Sequence, residues 1–134
     1  MKNLLLTVLF LLALAACSPA KPDISGDWKL VSYGDTANLT PALLGADTSI
    51  QFENGKLNGN VGCNSFGGNY ELSNDQITFR GIVSTLMYCE ETSMQEQEVL
   101  GVFSDNLALQ IQLNEGALTI TSVDGASVVN LVRK

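Results

Sequence analysis

Four turn signals set the architecture of this chain. Asn54-Gly55, Ser73-Asn74-Asp75, Asn114-Glu115-Gly116 and Asp124-Gly125 each separate two short runs of alternating apolar and polar residues. Asn-Gly is the strongest short hairpin signal, because both residues accept the positive φ of a type I′ turn. Ile50 and Phe52 precede it and Leu57 and Val61 follow it. Leu107, Leu109, Ile111 and Leu113 alternate strictly, and Leu118 with Ile120 and then Val128 with Leu131 follow the later turns. A period of two puts one row of side chains inside and the other in solvent. Strands joined by hairpins are antiparallel, so the expected fold is all-β with one helix. It is a small, partly closed, meandering antiparallel barrel of about eight strands with one α-helix packed on it.

The remaining elements fit around that meander. Gly26 to Tyr33 reads as a first strand entering the core at Trp28 and Leu30, with Val31 and Tyr33 out of phase. Gly34 to Gly45 reads as a loop, with a short helical turn over Ala42–Leu44 after Thr40-Pro41. Phe66 to Leu72 is a strand with Phe66, Tyr70 and Leu72 on one face, and Gln76 to Phe79 is its partner. Arg80 to Glu91 is looser. Ser93-x-x-Glu96 reads as a capping box, in which each side chain satisfies a backbone N–H at a helix start. Val99, Leu100, Phe103 and Leu107 then recur at helical spacing, predicting a helix from about Met94 to Ser104 with Glu96 and Glu98 on its polar face.

The N-terminus bounds the compartment. Lys2 is followed by an apolar run from Leu4 to Ala16, broken only by Thr7, that is short for a membrane span. Leu14-Ala15-Ala16-Cys17 resembles the lipobox of bacterial lipoprotein signal peptides. The resemblance implies cleavage after Ala16, lipid on Cys17, and a tether over residues 17–25 that leads into a domain over 26–134. Acyl chains contribute about 0.8 kcal/mol per buried methylene, so more than one chain anchors stably. Ser18, rather than Asp, follows the cysteine. By resemblance to enterobacterial sorting this favours the outer membrane, facing the periplasm. Removing residues 1–16 leaves 118 residues, enough for one core, with 6 basic residues against 14 acidic ones and a net charge of −8. That surface argues against nucleic acid, which needs a basic footprint. It argues equally against electrostatic docking on anionic lipid.

One stretch stands apart: Gly59 to Tyr70, with Gly59, Gly62, Gly67 and Gly68 around Cys63. Gly62 and Gly67 have the spacing of a phosphate loop, but Gly68 stands where that loop needs lysine. Glycines in a strand more often mark a bulge, a bend or a close backbone approach. Cys63 and Cys89 are the cysteines left once Cys17 is lipidated, in a compartment where disulfides persist. A bridge between them closes a loop worth about 3.5 kcal/mol in the chain-entropy account. Two buried thiols are the alternative, and a redox pair lacks the Cys-x-x-Cys spacing.

Catalysis and metal binding find little footing. The chain has no histidine, which removes Ser-His-Asp and Cys-His machinery and leaves two cysteines short of a zinc site. Adjacent Glu90 and Glu91, read on a strand, point to opposite faces and do not converge for acid–base work. These two, with Asp75 or Asp124 in turns, lack calcium-loop spacing and read as solvated carboxylates. No cofactor and no metal is expected. Trp28, Phe52, Phe66, Tyr70, Phe79 and Phe103 read as core residues, or as the lining of a barrel that holds one apolar ligand.

Gly26-x-Trp28-x-Leu30, Gly62-Cys63-Asn64-x-Phe66-x-Gly68-x-Tyr70 and Ser84-Thr85-x-Met87-x-Cys89, in that order before a strand-rich tail, resemble the META domain family of HslJ type. The resemblance covers roughly residues 24–133. Tyr88 stands where small residues are common in the family. The resemblance implies an envelope-associated domain without established enzymatic activity, linked to heat shock, to novobiocin resistance or, in eukaryotic parasites, to virulence. The expected action is in stress tolerance or antibiotic resistance, through contact with an envelope protein or through envelope maintenance. It also implies a fold similar to small pilot lipoproteins, which keeps an acyl chain or small hydrophobic molecule in view as a ligand.

Overall fold

A computed structural model describes residues 21–103 and 105–134. The expected signal segment and Cys17 lie outside the described residues. Nine strands and one helix follow in order: β1 Gly26–Asp35, β2 Asn38–Pro41, β3 Ser49–Glu53, β4 Lys56–Asn60, β5 Ser65–Ser73, β6 Gln76–Ser84, α1 Ser93–Val102, β7 Ala108–Asn114, β8 Ala117–Thr121 and β9 Ser127–Arg133. Strands β3 to β9 pair each with the next, and β1 pairs with both β3 and β9. The result is a closed antiparallel barrel of eight strands. β2 is an extra strand, joined to β1 alone through Ser32–Pro41 to Asp35–Asn38.

The turn residues do what their chemistry requires. Asn54 and Gly55 have φ of 50° and 77°, and Glu115 and Gly116 have 46° and 84°, so both hairpins turn through two left-handed residues. Asn74 supplies the same at 55°. These three turns lie at one end of the barrel, the hairpin end, together with the entry of β1 and the exit of β9. There the Arg133 guanidinium lies 4.5 Å from the centre of the Trp28 ring and donates to the carbonyls of Asp23 and Ser25. The helix end carries α1, the 61–64 and 85–92 connections and the turn before β9.

The period-two pattern fills the interior. Trp28, Leu30, Ile50, Phe52, Leu57, Ile77, Phe79, Leu109, Leu118, Ile120, Val129 and Leu131 are all at or below 2% exposed. Phe52 meets Tyr70 edge-on at 5.2 Å, and Phe79 meets Phe103 at 4.7 Å. Burying each such side chain contributes about 1.5–3 kcal/mol, so this filling is the main source of stability.

Four expectations need correction. The segment read as a loop over Gly34–Gly45 contains the end of β1 and all of β2, and a turn at Leu44–Gly45 replaces the helical turn expected at Ala42–Leu44. β6 continues to Ser84, well into the stretch read as loose. A register shift between Leu30 and Ser32 turns Tyr33 inward and leaves Val31 half exposed, which explains the phase break in β1. Leu107 does not join the helical face: α1 ends at Val102, and Leu107 is 46% exposed.

Candidate functional site

The Gly62-Cys63-Asn64 turn, the 85–89 segment and the start of α1 converge at the helix end. Cys63 and Cys89 form a disulfide with Cα atoms 6.3 Å apart. Beside it lies Glu96, a carboxylate only 7% exposed. One of its oxygens accepts the backbone N–H groups of Cys63 and Asn64, and the other accepts the Asn64 side-chain amide at 2.8 Å. Burial pushes the Glu96 carboxyl up, but the Asn64 and Cys63 donors together outweigh it and hold it below its ordinary value. Glu96 therefore does not close a capping box and is not on a solvated face. The helix cap is Thr92, whose side chain makes no capping bond, and the Ser93 hydroxyl donates to the Glu90 carbonyl.

Asn64 is the centre of this cluster. Its side-chain oxygen accepts the Met87 N–H at 2.7 Å and the Thr85 hydroxyl at 2.9 Å, while its NH₂ also donates to the Met87 carbonyl. A single amide thus grips the backbone of Met87 from both sides, as a paired strand residue does. Gln95 makes a parallel tie, donating to the Val61 carbonyl and accepting the Leu43 N–H. Gly62 lets these parts approach: a Cβ there falls 2.6 Å from the Cβ of Thr92 and 3.0 Å from a Glu96 oxygen. The one buried side-chain polar atom without a partner among the described residues is the Thr92 hydroxyl.

The other expected site residues are placed differently. Trp28, Phe52, Phe66, Tyr70, Phe79 and Phe103 all belong to one buried cluster, and they fill the barrel. Glu90 and Glu91 lie in an exposed turn rather than on a strand, so the opposite-face argument does not apply to them. Asp124 serves its own turn, accepting the Ser122 hydroxyl and the Ala126 N–H, and the Ser122 bond first and the Ala126 bond second hold its carboxyl below the usual range. Among the described residues no group of three or more His, Cys, Asp or Glu side chains could hold a metal.

Two open depressions flank α1. A groove of about 620 Å³ runs between the helix and the ends of β1 and β9, bordered by Asp35, Glu98 and Asp124. Tyr33 is buried near it, and desolvation first, then the Glu98 charge, raises its phenol. A cleft of about 310 Å³ lies on the other side, between Ser84–Tyr88 and the helix residues Gln97 and Leu100, with Asn64 and Glu96 at its base. Leu86, Met87 and Tyr88 crowd its rim and are 94%, 58% and 85% exposed. The sequence pointed to Cys63 and Cys89 but missed Gln95 and Glu96, whose partners lie more than thirty positions away.

No curated protein matches the chain by sequence. Solved structures share its fold. A protein from Burkholderia xenovorans, solved by NMR, superposes with a TM-score of 0.68 at 16% identity, over 90% of this chain and 96% of that one. A DUF4847 family protein from Bacteroides vulgatus gives 0.61 at 13% identity, over 82% and 93%. A lipocalin-like protein from Bacteroides uniformis gives 0.56 at 15% identity, over 84% and 100%. At these identities the likeness is one of fold. The META domain model matches residues 22–134, which contain the whole barrel, the helix and the Asn64–Glu96 cluster, and the chain belongs to the META domain family.

Proposed function

We propose that this protein is a non-enzymatic envelope lipoprotein, anchored through Cys17 to the outer membrane on its periplasmic side. It acts in stress tolerance or in resistance to novobiocin-type antibiotics, through contact with another envelope protein. One observation carries the non-catalytic part. The carboxylate, amides and hydroxyl of the Asn64–Glu96 cluster are spent on holding the helix and the 85–89 segment, so the buried Glu96 carboxylate is not free to act as an acid or base. The lipobox-like Leu14-Ala15-Ala16-Cys17 motivates the anchor.

The test is genetic and chemical together. The full-length protein from the envelope fraction should carry lipid mass on Cys17. A strain lacking it should lose viability on heating or with novobiocin and recover with wild type, but not with Cys17→Ser. Turnover of a substrate by the purified protein, abolished by one point mutation, overturns the reading.

A second reading, carriage of an acyl chain or small hydrophobic molecule, is favoured by the lipocalin-like shape of the barrel. Its difficulty is the interior: Ile50, Phe52, Leu57, Ile77, Phe79, Leu118 and Ile120 are fully buried. Carriage requires the aromatic filling to move or the ligand to sit outside the barrel. Native mass spectrometry of the protein from its envelope should then retain an apolar adduct, and a bare polypeptide mass counts against carriage.

A further inference from the structure

Two seams of the barrel are closed by only three residue pairs, β1 with β3 and β6 with β7, and the second leaves the longer edge. β6 runs nine residues, but β7 pairs with it only at Gln76, Ile77 and Thr78. Above that, the Asn106 N–H reaches the Phe79 carbonyl and the Asp105 carboxylate accepts the Ile82 N–H at 3.1 Å. Among the described residues, no strand lies on the β7 side of the last part of β6.

The direction of the backbone groups there follows from the register. Val83 is opposite Gly67, and the Thr85 N–H donates to the Ser65 carbonyl. In an antiparallel ladder alternate residues address the same neighbour. Residues 83 and 85 therefore face β5, and Met87 continues the series by pairing with the Asn64 amide. Ile82 faces the other way, toward Asp105, and so do Ser84 and Leu86. The Asn64 clasp and the Cys63–Cys89 bridge thus tie the segment after β6 to the helix end, and the alternation turns the edge at Ser84 and Leu86 outward along the cleft.

We propose that this edge is a docking site for an extended protein segment that adds to β6 as a further strand. The inference rests on the partner-binding reading above and locates its surface. Backbone bonds to Ser84 and Leu86 supply affinity, and an apolar side chain of the guest enters the cleft against Leu100. Two observations set the chemistry of the guest. The edge runs into exposed Glu90 and Glu91 on a chain of net charge −8 once Lys2 has left with the signal segment, which selects a segment bearing lysine or arginine between its apolar residues. The chain enters β1 at the opposite end of the barrel, where Arg133 binds the carbonyls of Asp23 and Ser25. A lipid tether leading in there would leave this edge at the far end of the barrel from its attachment, free to meet a protein.

The probe is an end-capped eight-residue peptide alternating lysine with valine, offered to the full-length protein in phosphatidylcholine nanodiscs. The readout is hydrogen–deuterium exchange resolved to single amides. Ser84 and Leu86 amides should slow by about tenfold or more while those of Val83 and Thr85, already paired, stay as they were. A glutamate-for-lysine peptide should bind about tenfold more weakly. Leu86→Lys, at a side chain 94% exposed, sets a like charge against the lysine peptide and should abolish the protection without altering the melting temperature. Absence of protection at Ser84 and Leu86, or protection that survives Leu86→Lys, overturns the proposal. Protection that grows with protein concentration without peptide assigns the edge to a second copy and also overturns it. So does protection by added phosphatidylcholine vesicles alone. A negative result here, with Cys17-dependent stress survival intact, removes the edge and spares the envelope function.

Discussion

The two ends of the barrel are built by different means. The hairpin end is turned by residues close in sequence, Asn54-Gly55, Asn74 and Glu115-Gly116, with one long-range tie where Arg133 meets Trp28, Asp23 and Ser25. The helix end is held by groups far apart in sequence: Cys63 with Cys89, Asn64 with Met87 and Glu96, and Gln95 with Val61. The three turns of the first end are separate local devices. The other is a single network in which each part depends on the rest, so losses there spread.

The largest effect should come from cutting that network covalently. The chain-entropy account gives about 3.5 kcal/mol for a loop of this size, so Cys63→Ser with Cys89→Ser should lower unfolding free energy by about that amount in urea titration. Exchange of the α1 amides should accelerate in the double variant while amides beside the Asn54-Gly55 turn keep their rates relative to global unfolding. Equal acceleration at both ends contradicts the division.

Glu96→Gln comes next. The glutamine oxygen can keep the Cys63 and Asn64 N–H groups, but its NH₂ then faces the Asn64 NH₂. Asn64 cannot flip in response, because its oxygen is held by Met87 and Thr85. A donor facing a donor in a buried site costs about 2 kcal/mol. The penalty should depend on pH. The carboxyl lies below its ordinary 4.5 in the fold, so its stabilising effect is complete above that value and disappears as pH falls through the lower folded value. The gap in unfolding free energy between wild type and Glu96→Gln should therefore narrow on acidification below pH 4.5. A constant gap assigns the loss to packing.

The same division explains what the sequence could disclose. Turn chemistry and alternation are local, so the hairpins, the barrel class and the core aromatics were readable from Ile50 to Leu131. β2 was not, because Asn38–Pro41 is exposed at every position and has no apolar alternation; backbone pairing to β1 makes it a strand. Glu96 was misread because Ser93-x-x-Glu96 has capping-box spacing, whereas its real donors belong to residues 63 and 64. The Cys63–Cys89 disulfide was legible only as one of two alternatives, since two cysteines far apart in sequence fit buried thiols as well. The strand edge at 84–88 was not, since it arises from where β7 stops.

A smaller effect belongs to the hairpin end. Gly55→Ala places a Cβ on a residue with φ of 77° and 3.5 Å from the Tyr70 carbonyl oxygen. The left-handed conformation costs a non-glycine residue about 1 kcal/mol. Stability should fall by that amount, while exchange at Glu96, Asn64 and Met87 changes only as much as global stability does. A specific loosening at those three residues means that the two ends are coupled more tightly than their construction suggests.

The smallest effect should be a gain. Thr92 caps α1 without a capping bond, and its hydroxyl is buried without a partner. Its Cβ and methyl lie against Gly62, at 2.6 and 3.1 Å from where a side chain there would begin, so the threonine is present for its shape. Thr92→Val keeps that shape and removes the unsatisfied group. An unpartnered buried hydroxyl carries its full desolvation penalty, so removing it should raise unfolding free energy by up to about 1 kcal/mol. Valine is no worse than threonine at a cap whose side chain accepts nothing. Loss of stability in Thr92→Val shows that the hydroxyl is bonded in solution, through water or a rotated side chain. The helix end would then contain one more polar tie, and the contrast with the hairpin end would be sharper still.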